Sequence, residues 1–144
     1  MTTPGSPDTR RAVDMERTSL GFYTATNVRG GTLRVGSGED ADFTPVELLL
    51  AAIGGCTMID VDNITSRRAE PTHLRVTVSG DKVKVDGAAQ MTGLTVTWDV
   101  AYPEGPEGDQ ARAVLHDTIR MSHDRLCTVG RTVEVGSPIG DEMA

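Results

Sequence analysis

The stretch TPVELLLAAIGGCTMIDVDNITSR, residues 44–67, opens as a helix should. Thr44 suits an N-cap, Pro45 suits the first helical position, and Glu47 stands where a capping box places its carboxylate. Residues 48–53 contain no polar side chain. A helix that is apolar all round is one buried in a core. Gly54-Gly55 then interrupts it, at about 1 kcal/mol each relative to alanine, a cost tolerated where something packs very close to the backbone. Cys56 follows at once. The expectation is a buried helix carrying a thiol at a point of close approach. It ends near Arg67-Arg68, whose charge suits a helix C-terminus, and before Pro71, which forbids continuation. Asp60 and Asp62 read as a solvated face, because residues two apart on a helix do not face each other.

Upstream, residues 1–15 are rich in Pro, Gly, Ser, Thr, Asp and Arg and read as a disordered tail. Residues 20–26 alternate as a strand, Gly30-Gly31 marks a turn, and residues 32–35 close a hairpin. Residues 37–42 form a polar loop leading to the capping box. Downstream, residues 73–84 place Leu74, Val76 and Val78 on one face. Asp86-Gly87-Ala88 is a turn, and Leu94, Val96, Trp98 and Val100 give a second half-buried strand, its antiparallel neighbour. Residues 103–108 read as a loop, Asp109 as the cap of a second helix to about Met121, and residues 132–136 as a short final strand. The order ββαββαβ gives an α+β fold in a single domain spanning residues 16–144.

The formal charge of −7 and the acidic sequence pI near 4.8 argue against nucleic acid or an anionic membrane as partner. The longest uninterrupted apolar run is residues 48–53, far short of a membrane span, so no membrane association is expected. The N-terminal residues lack the apolar centre of a secretory signal, and a cytoplasmic location is expected. With one Trp, two Tyr and two Phe, the core must be aliphatic, and burial against a second copy would enlarge it. The two cysteines, Cys56 and Cys127, leave three readings open: inert buried thiols, a metal site, or redox chemistry. His116 and His123 could complete a Cys₂His₂ zinc set, but their spacing is unlike the usual short ligand pairs. Gly30-Gly31 lacks the context of a phosphate loop.

Taken together, PVELLLAAIGGCTMIDV (45–61) and LCTVGRTV (126–133) resemble the OsmC/Ohr family, the osmotically inducible protein C and organic hydroperoxide resistance proteins. The resemblance covers residues 17–138 and is strongest toward the OsmC-like subgroup with its G-G-C-T-x-x-D-V segment. It implies an antiparallel sheet wrapped around long central helices, in an intertwined homodimer with active sites at the subunit interface. It also implies a thiol-dependent peroxidase acting on organic hydroperoxides without metal or other cofactor, reset by an external dithiol or lipoyl-type reductant. By position, Cys56 matches the peroxidatic cysteine, Cys127 the resolving cysteine, and Arg29 the arginine of an R-x-G turn. Family peroxidases carry a glutamate ten positions before the first cysteine, paired with that arginine. Here that position is Val46, and Glu47 stands one residue on, about 100° around the helix. Glu47 therefore reads first as the capping residue and second as a partner for Arg29. The alternative function is a non-enzymatic dimer of the same fold that binds a hydrophobic small molecule at the subunit interface.

The chemistry such residues support follows from thiol reactivity. A thiolate attacks the hydroperoxide, so Cys56 needs a cation nearby, and a guanidinium is always charged. Arg131 is a second cationic candidate. Attack leaves a sulfenic acid, which a second thiol converts to a disulfide if the two Cα atoms lie within about 7 Å.

Overall fold

Strand pairing begins earlier than the alternation indicated. The computed structural model describes residues 9–144, so the first eight residues of the expected tail lie outside it. Strand β1 runs Val13–Ser19, ahead of β2 (Phe22–Asn27) and β3 (Thr32–Val35), in an antiparallel sheet of order β1-β2-β3. The strand expected over 20–26 is thus corrected at its start: Leu20 and Gly21 form the β1–β2 turn, Gly21 at φ 81° and Leu20 83% exposed. Every residue of β1 is exposed, and its apolar/polar alternation is confined to the four residues Val13-Asp14-Met15-Glu16.

The chain divides into two compact units after Leu48. In the first, the β2–β3 turn uses Gly30 at φ 87°. Asn27 Oδ1 closes that turn by accepting from the N–H groups of Arg29 (3.0 Å) and Gly31 (2.9 Å). The loop after β3 is held by the Gly36 N–H donating to the Phe43 carbonyl at 3.0 Å and by Arg34 against Asp42 at 3.1 Å. Helix α1 (Pro45–Thr65) then starts with the expected capping box. The Glu47 N–H donates to Thr44 Oγ1 at 3.2 Å, and the Thr44 N–H donates to Glu47 Oε1 at 2.9 Å.

In the second unit, α1 packs on a long hairpin, β4 (His73–Val85) and β5 (Ala88–Ala101). Asp86 (φ 51°) and Gly87 (φ 80°) make the two-residue turn with both residues left-handed, the type that matches strand twist. Leu74 pairs with Val100, Val76 with Trp98 and Val78 with Val96, all on the half-buried face. Gly54 is needed here: a Cβ on it would lie 2.7 Å from Val78 Cγ2. Gly55 faces open space within the chain, so close packing explains only the first of the two glycines.

Two expectations about α1 are corrected. It is not buried all round: Ile53, Gly54, Thr57, Val61 and Thr65 are buried, while Ala51, Ala52 and Ile59 are exposed. Nor does the short apolar run settle the membrane question, since α1 as a whole is long and apolar enough to cross one, with mean hydropathy 1.4. An average over the helix tolerates the glycines and threonines that interrupt an unbroken apolar run. Its contacts are those of a core helix. Thr65, fully buried, donates to the Val61 carbonyl (2.9 Å) and accepts from the Tyr102 hydroxyl (2.7 Å).

Helix α2 (Pro106–Met121) starts three residues before Asp109, with Gly105 (φ 112°) as cap and Pro106 in the first turn. A π-turn, Ser122–Leu126, continues it. The final strand expected over 132–136 is a helix, α3 (Thr128–Val135). Its β-branched residues suggested extended chain, but the cap at Cys127 and the Thr132 hydroxyl bonded back to the Thr128 carbonyl (2.8 Å) hold a helical turn. The observed order is βββαββαα, and the class is α+β.

Candidate functional site

Cys56 sits midway along α1, half-buried, and Cys127 stands between the π-turn and α3, buried at 3% exposure. Both thiols are free, and each lies within hydrogen-bonding reach of the other. The chain therefore brings together two cysteines that lie 71 positions apart in its sequence.

Local structure explains how Cys127 is held. Its N–H donates to the Ser122 carbonyl at 2.8 Å, closing the wide π-turn, and its Sγ accepts from the Gly130 N–H at 3.2 Å as the N-cap of α3. Single π-turns of this kind occur frequently at functional sites. Burial pushes the Cys127 thiol above its ordinary range, and the adjacent Cys56 and the Asp60 carboxylate push the same way, against the Gly130 N–H. Cys127 therefore holds its proton more tightly than an ordinary thiol.

Around the thiols lies a polar network that sequence reasoning missed. Ser122, fully buried, donates to Asp60 Oδ2 at 2.7 Å and stands 2.8 Å from Thr57 Oγ1. Asp60 is thus not part of a solvated face, which corrects the reading of that residue. It lies four after Cys56, one helical turn along the same side. Asp62 does remain exposed, accepting from the Ser66 hydroxyl at 2.9 Å. The signal in the sequence for Asp60 is its i+4 spacing from the thiol; Ser122, just past the expected end of the second helix at Met121, carries none.

Beside Cys127 is a cavity of about 360 Å³ lined mainly by apolar side chains, among them Ile53, Leu94, Val96, Trp98 and Ile119. That volume is within the range of small-molecule sites. The polar groups on its wall are few: His123 Nε2 lies 3.0 Å from Glu134 Oε1, beside Thr57 and Thr95. The cysteine on this wall is Cys127, which is in reach of Cys56.

The other two predicted site residues belong to the first unit. Arg29 is an exposed residue of the β2–β3 turn, its backbone N–H bonded to Asn27. Glu47 is engaged in the capping box, and the N–H of Thr44, with the Thr44 hydroxyl beside it, holds its carboxyl below the usual range. Arg131 is exposed on α3. Among the described residues, no three His, Cys, Asp or Glu side chains gather as a metal site would require.

Comparison with known proteins agrees with this fold. Over 138 positions, 90% of this chain and 93% of the relative, the sequence is 30% identical to the uncharacterized protein Rv2923c of Mycobacterium tuberculosis. Its fold matches that of an OsmC-like protein of unknown function from Vibrio cholerae with a TM-score of 0.74, at 14% identity over 88% of this chain and 94% of that one. It matches the organic hydroperoxide resistance protein OhrB of Bacillus subtilis more loosely, with a TM-score of 0.54 at 15% identity over 85% and 90% of the two chains. The model of the OsmC-like protein family matches residues 37–140, a span that takes in α1, the hairpin and both thiols, and the chain belongs to that family.

Proposed function

We propose that this protein is a cysteine-based peroxidase that reduces organic hydroperoxides, with Cys56 as the attacking thiol and Cys127 as the resolving one. The observation that carries this reading is the pair of free thiols in mutual reach beside an apolar cavity. Inert core cysteines need no such pairing. In the first step the Cys56 thiolate attacks the terminal oxygen of the hydroperoxide. The O–O bond breaks, the alcohol leaves after taking up a proton, and Cys56 becomes a sulfenic acid. Cys127 then attacks the Cys56 sulfur, the S–S bond forms and water departs. An external dithiol or lipoyl-type compound returns the disulfide to two thiols by exchange, so no metal or bound cofactor is needed. The order of events suits the geometry, since Cys127 is the buried thiol whose proton is held. The cavity takes the organic part of the substrate.

A guanidinium near Cys56 is still required, and we assign it to Arg29 as it would stand in the homodimer. Glu47 acts in this reading as the start of α1 rather than as the arginine's partner. The dimer itself is supported by the uncovered face of α1, where Ala51, Ala52 and Ile59 are exposed in a segment without charge before Asp60.

A second reading is favoured by the cavity and by the looser match to OhrB: a non-enzymatic dimer that holds a hydrophobic small molecule. One assay separates the two. With dithiothreitol as reductant, the protein should consume cumene hydroperoxide, and Cys56→Ser should reduce the rate to background. Cys56 remaining reduced under excess peroxide would sink the peroxidase reading and leave the binding one.

A further inference from the structure

Ser122 holds a place in the fold that the peroxidase reading does not use. It is fully buried, its N–H continues the α2 ladder, and its hydroxyl and carbonyl each engage the surroundings of one of the two cysteines. Its hydroxyl bridges Thr57 (2.8 Å) and Asp60 (2.7 Å), the residues one and four positions after Cys56 on α1. Its carbonyl accepts the Cys127 N–H at 2.8 Å. We propose that Ser122 is a positioning residue for the dithiol, clamping the helix of Cys56 to the backbone of Cys127 and so setting the approach of the two sulfurs.

The physical case rests on the directionality of hydrogen bonds and the narrow geometry of a disulfide. Disulfide formation needs Cα atoms about 4.4–6.8 Å apart and a specific torsion about the S–S bond. Packing alone leaves helices free to slide by fractions of an ångström. Two short bonds from one buried side chain to a single helical turn remove that freedom, and the charged acceptor makes one of them the stronger kind. The π-turn completes the device: widening one turn of the chain after α2 lets a single residue offer its side chain to α1 and its carbonyl to Cys127. Asp60 adds a negative charge beside the pair. The other ionisable groups on the walls around Cys127 are Cys56 on α1, His123 in the π-turn and Glu134 on α3.

The inference rests on the reading that the two thiols work as a redox pair, but its test does not need peroxide. The intact protein is equilibrated in buffers of reduced and oxidised dithiothreitol, in which two electrons and two protons pass from the protein dithiol to the oxidised reagent. The fraction of Cys56–Cys127 disulfide is read by mass spectrometry after alkylation. Ser122→Ala should lower the equilibrium constant for the intramolecular disulfide at least tenfold, while the rate of Cys56 alkylation by iodoacetamide in the reduced protein stays within twofold of wild type. A purely structural role would lower the melting temperature without moving the redox equilibrium, and an equilibrium constant within twofold of wild type overturns the proposal. If Ser122→Ala does not fold, Thr57→Val decides by the same measurement. It removes one of the two bridges at constant volume, and a threefold or greater loss supports the clamp whereas an unchanged constant rejects it. A wild-type protein inert to peroxide whose Ser122 variant still loses disulfide stability would reject the peroxidase reading and keep the clamp.

Discussion

Cys127 is buried, caps a helix and touches a second thiol, and each of these facts bears on how it reacts. Burial and its two neighbours hold its proton, so its alkylation should rise with pH only above the ordinary thiol range near 8.5. Asp60→Asn removes one of the charges opposing ionisation and should move that profile to lower pH, read as iodoacetamide incorporation at Cys127 between neutral and alkaline pH. A profile unmoved by Asp60→Asn would mean that its charge is not felt at the sulfur. In Cys127→Ser, peroxide should leave Cys56 as sulfenic or sulfinic acid, detectable by mass, and turnover undiminished with the same reductant would show that Cys127 does not resolve. Arg29→Ala should slow the reaction with peroxide, and an unchanged rate would move the cationic role elsewhere, Arg131 being the next candidate. Both cysteines and Arg29 were legible in the sequence as residues that match a pattern. Their surroundings were not. Ser122 and Thr57 are ordinary small polar residues, and what gives them a role is a contact between segments far apart in the chain, which no local spacing encodes.

At the level of the helix, the capping box and the two glycines make separable predictions. Thr44→Ala removes an N-cap and should cost about 1 kcal/mol, or about 2–4 °C in melting temperature for a chain of this size. The Glu47 carboxyl is held below its unfolded value, so its contribution to stability is fully present above pH ~4.3 and is lost as pH falls through the lower folded value. In Glu47→Gln that acid-limb dependence should disappear from urea titrations run at different pH. Gly54→Ala brings a Cβ to 2.7 Å from Val78 Cγ2 and should destabilise by about 1–3 kcal/mol. Gly55→Ala meets nothing within the chain and should gain up to about 1 kcal/mol in the isolated subunit from helix propensity. The start of α1 and the hairpin with its Asp86-Gly87 turn could be read in advance because caps and turns are local rules. Strand β1 and helix α3 could not. β1 is exposed along its whole length and alternates only over residues 13–16, while TVGRTVEV is rich in β-branched residues and becomes helical through a cap supplied by a thiol.

For the molecule as a whole, the open question is what covers the apolar surface that each unit leaves exposed. In the first unit, Val13 and Met15 on β1 are more than half exposed, and in the second Ile59 is 62% exposed on α1. A second copy packed on these residues would account for Gly55 as well, as the point where the partner comes close. Sedimentation velocity should then give a dimer, and Ile59→Asp should shift it toward monomer with loss of peroxide turnover. A monomer in the wild type at micromolar concentration would contradict this. The expectation of a helix buried all round does not hold for this chain, since Ala51 and Ala52, both within the apolar run read as core, are exposed.

The most direct measurement treats the fully reduced protein with one equivalent of cumene hydroperoxide and then counts thiols and maps disulfides by mass spectrometry. The account predicts loss of both thiols and a single intramolecular Cys56–Cys127 bridge, with one cumyl alcohol formed per chain. Two thiols per chain surviving, with the hydroperoxide intact, would contradict it.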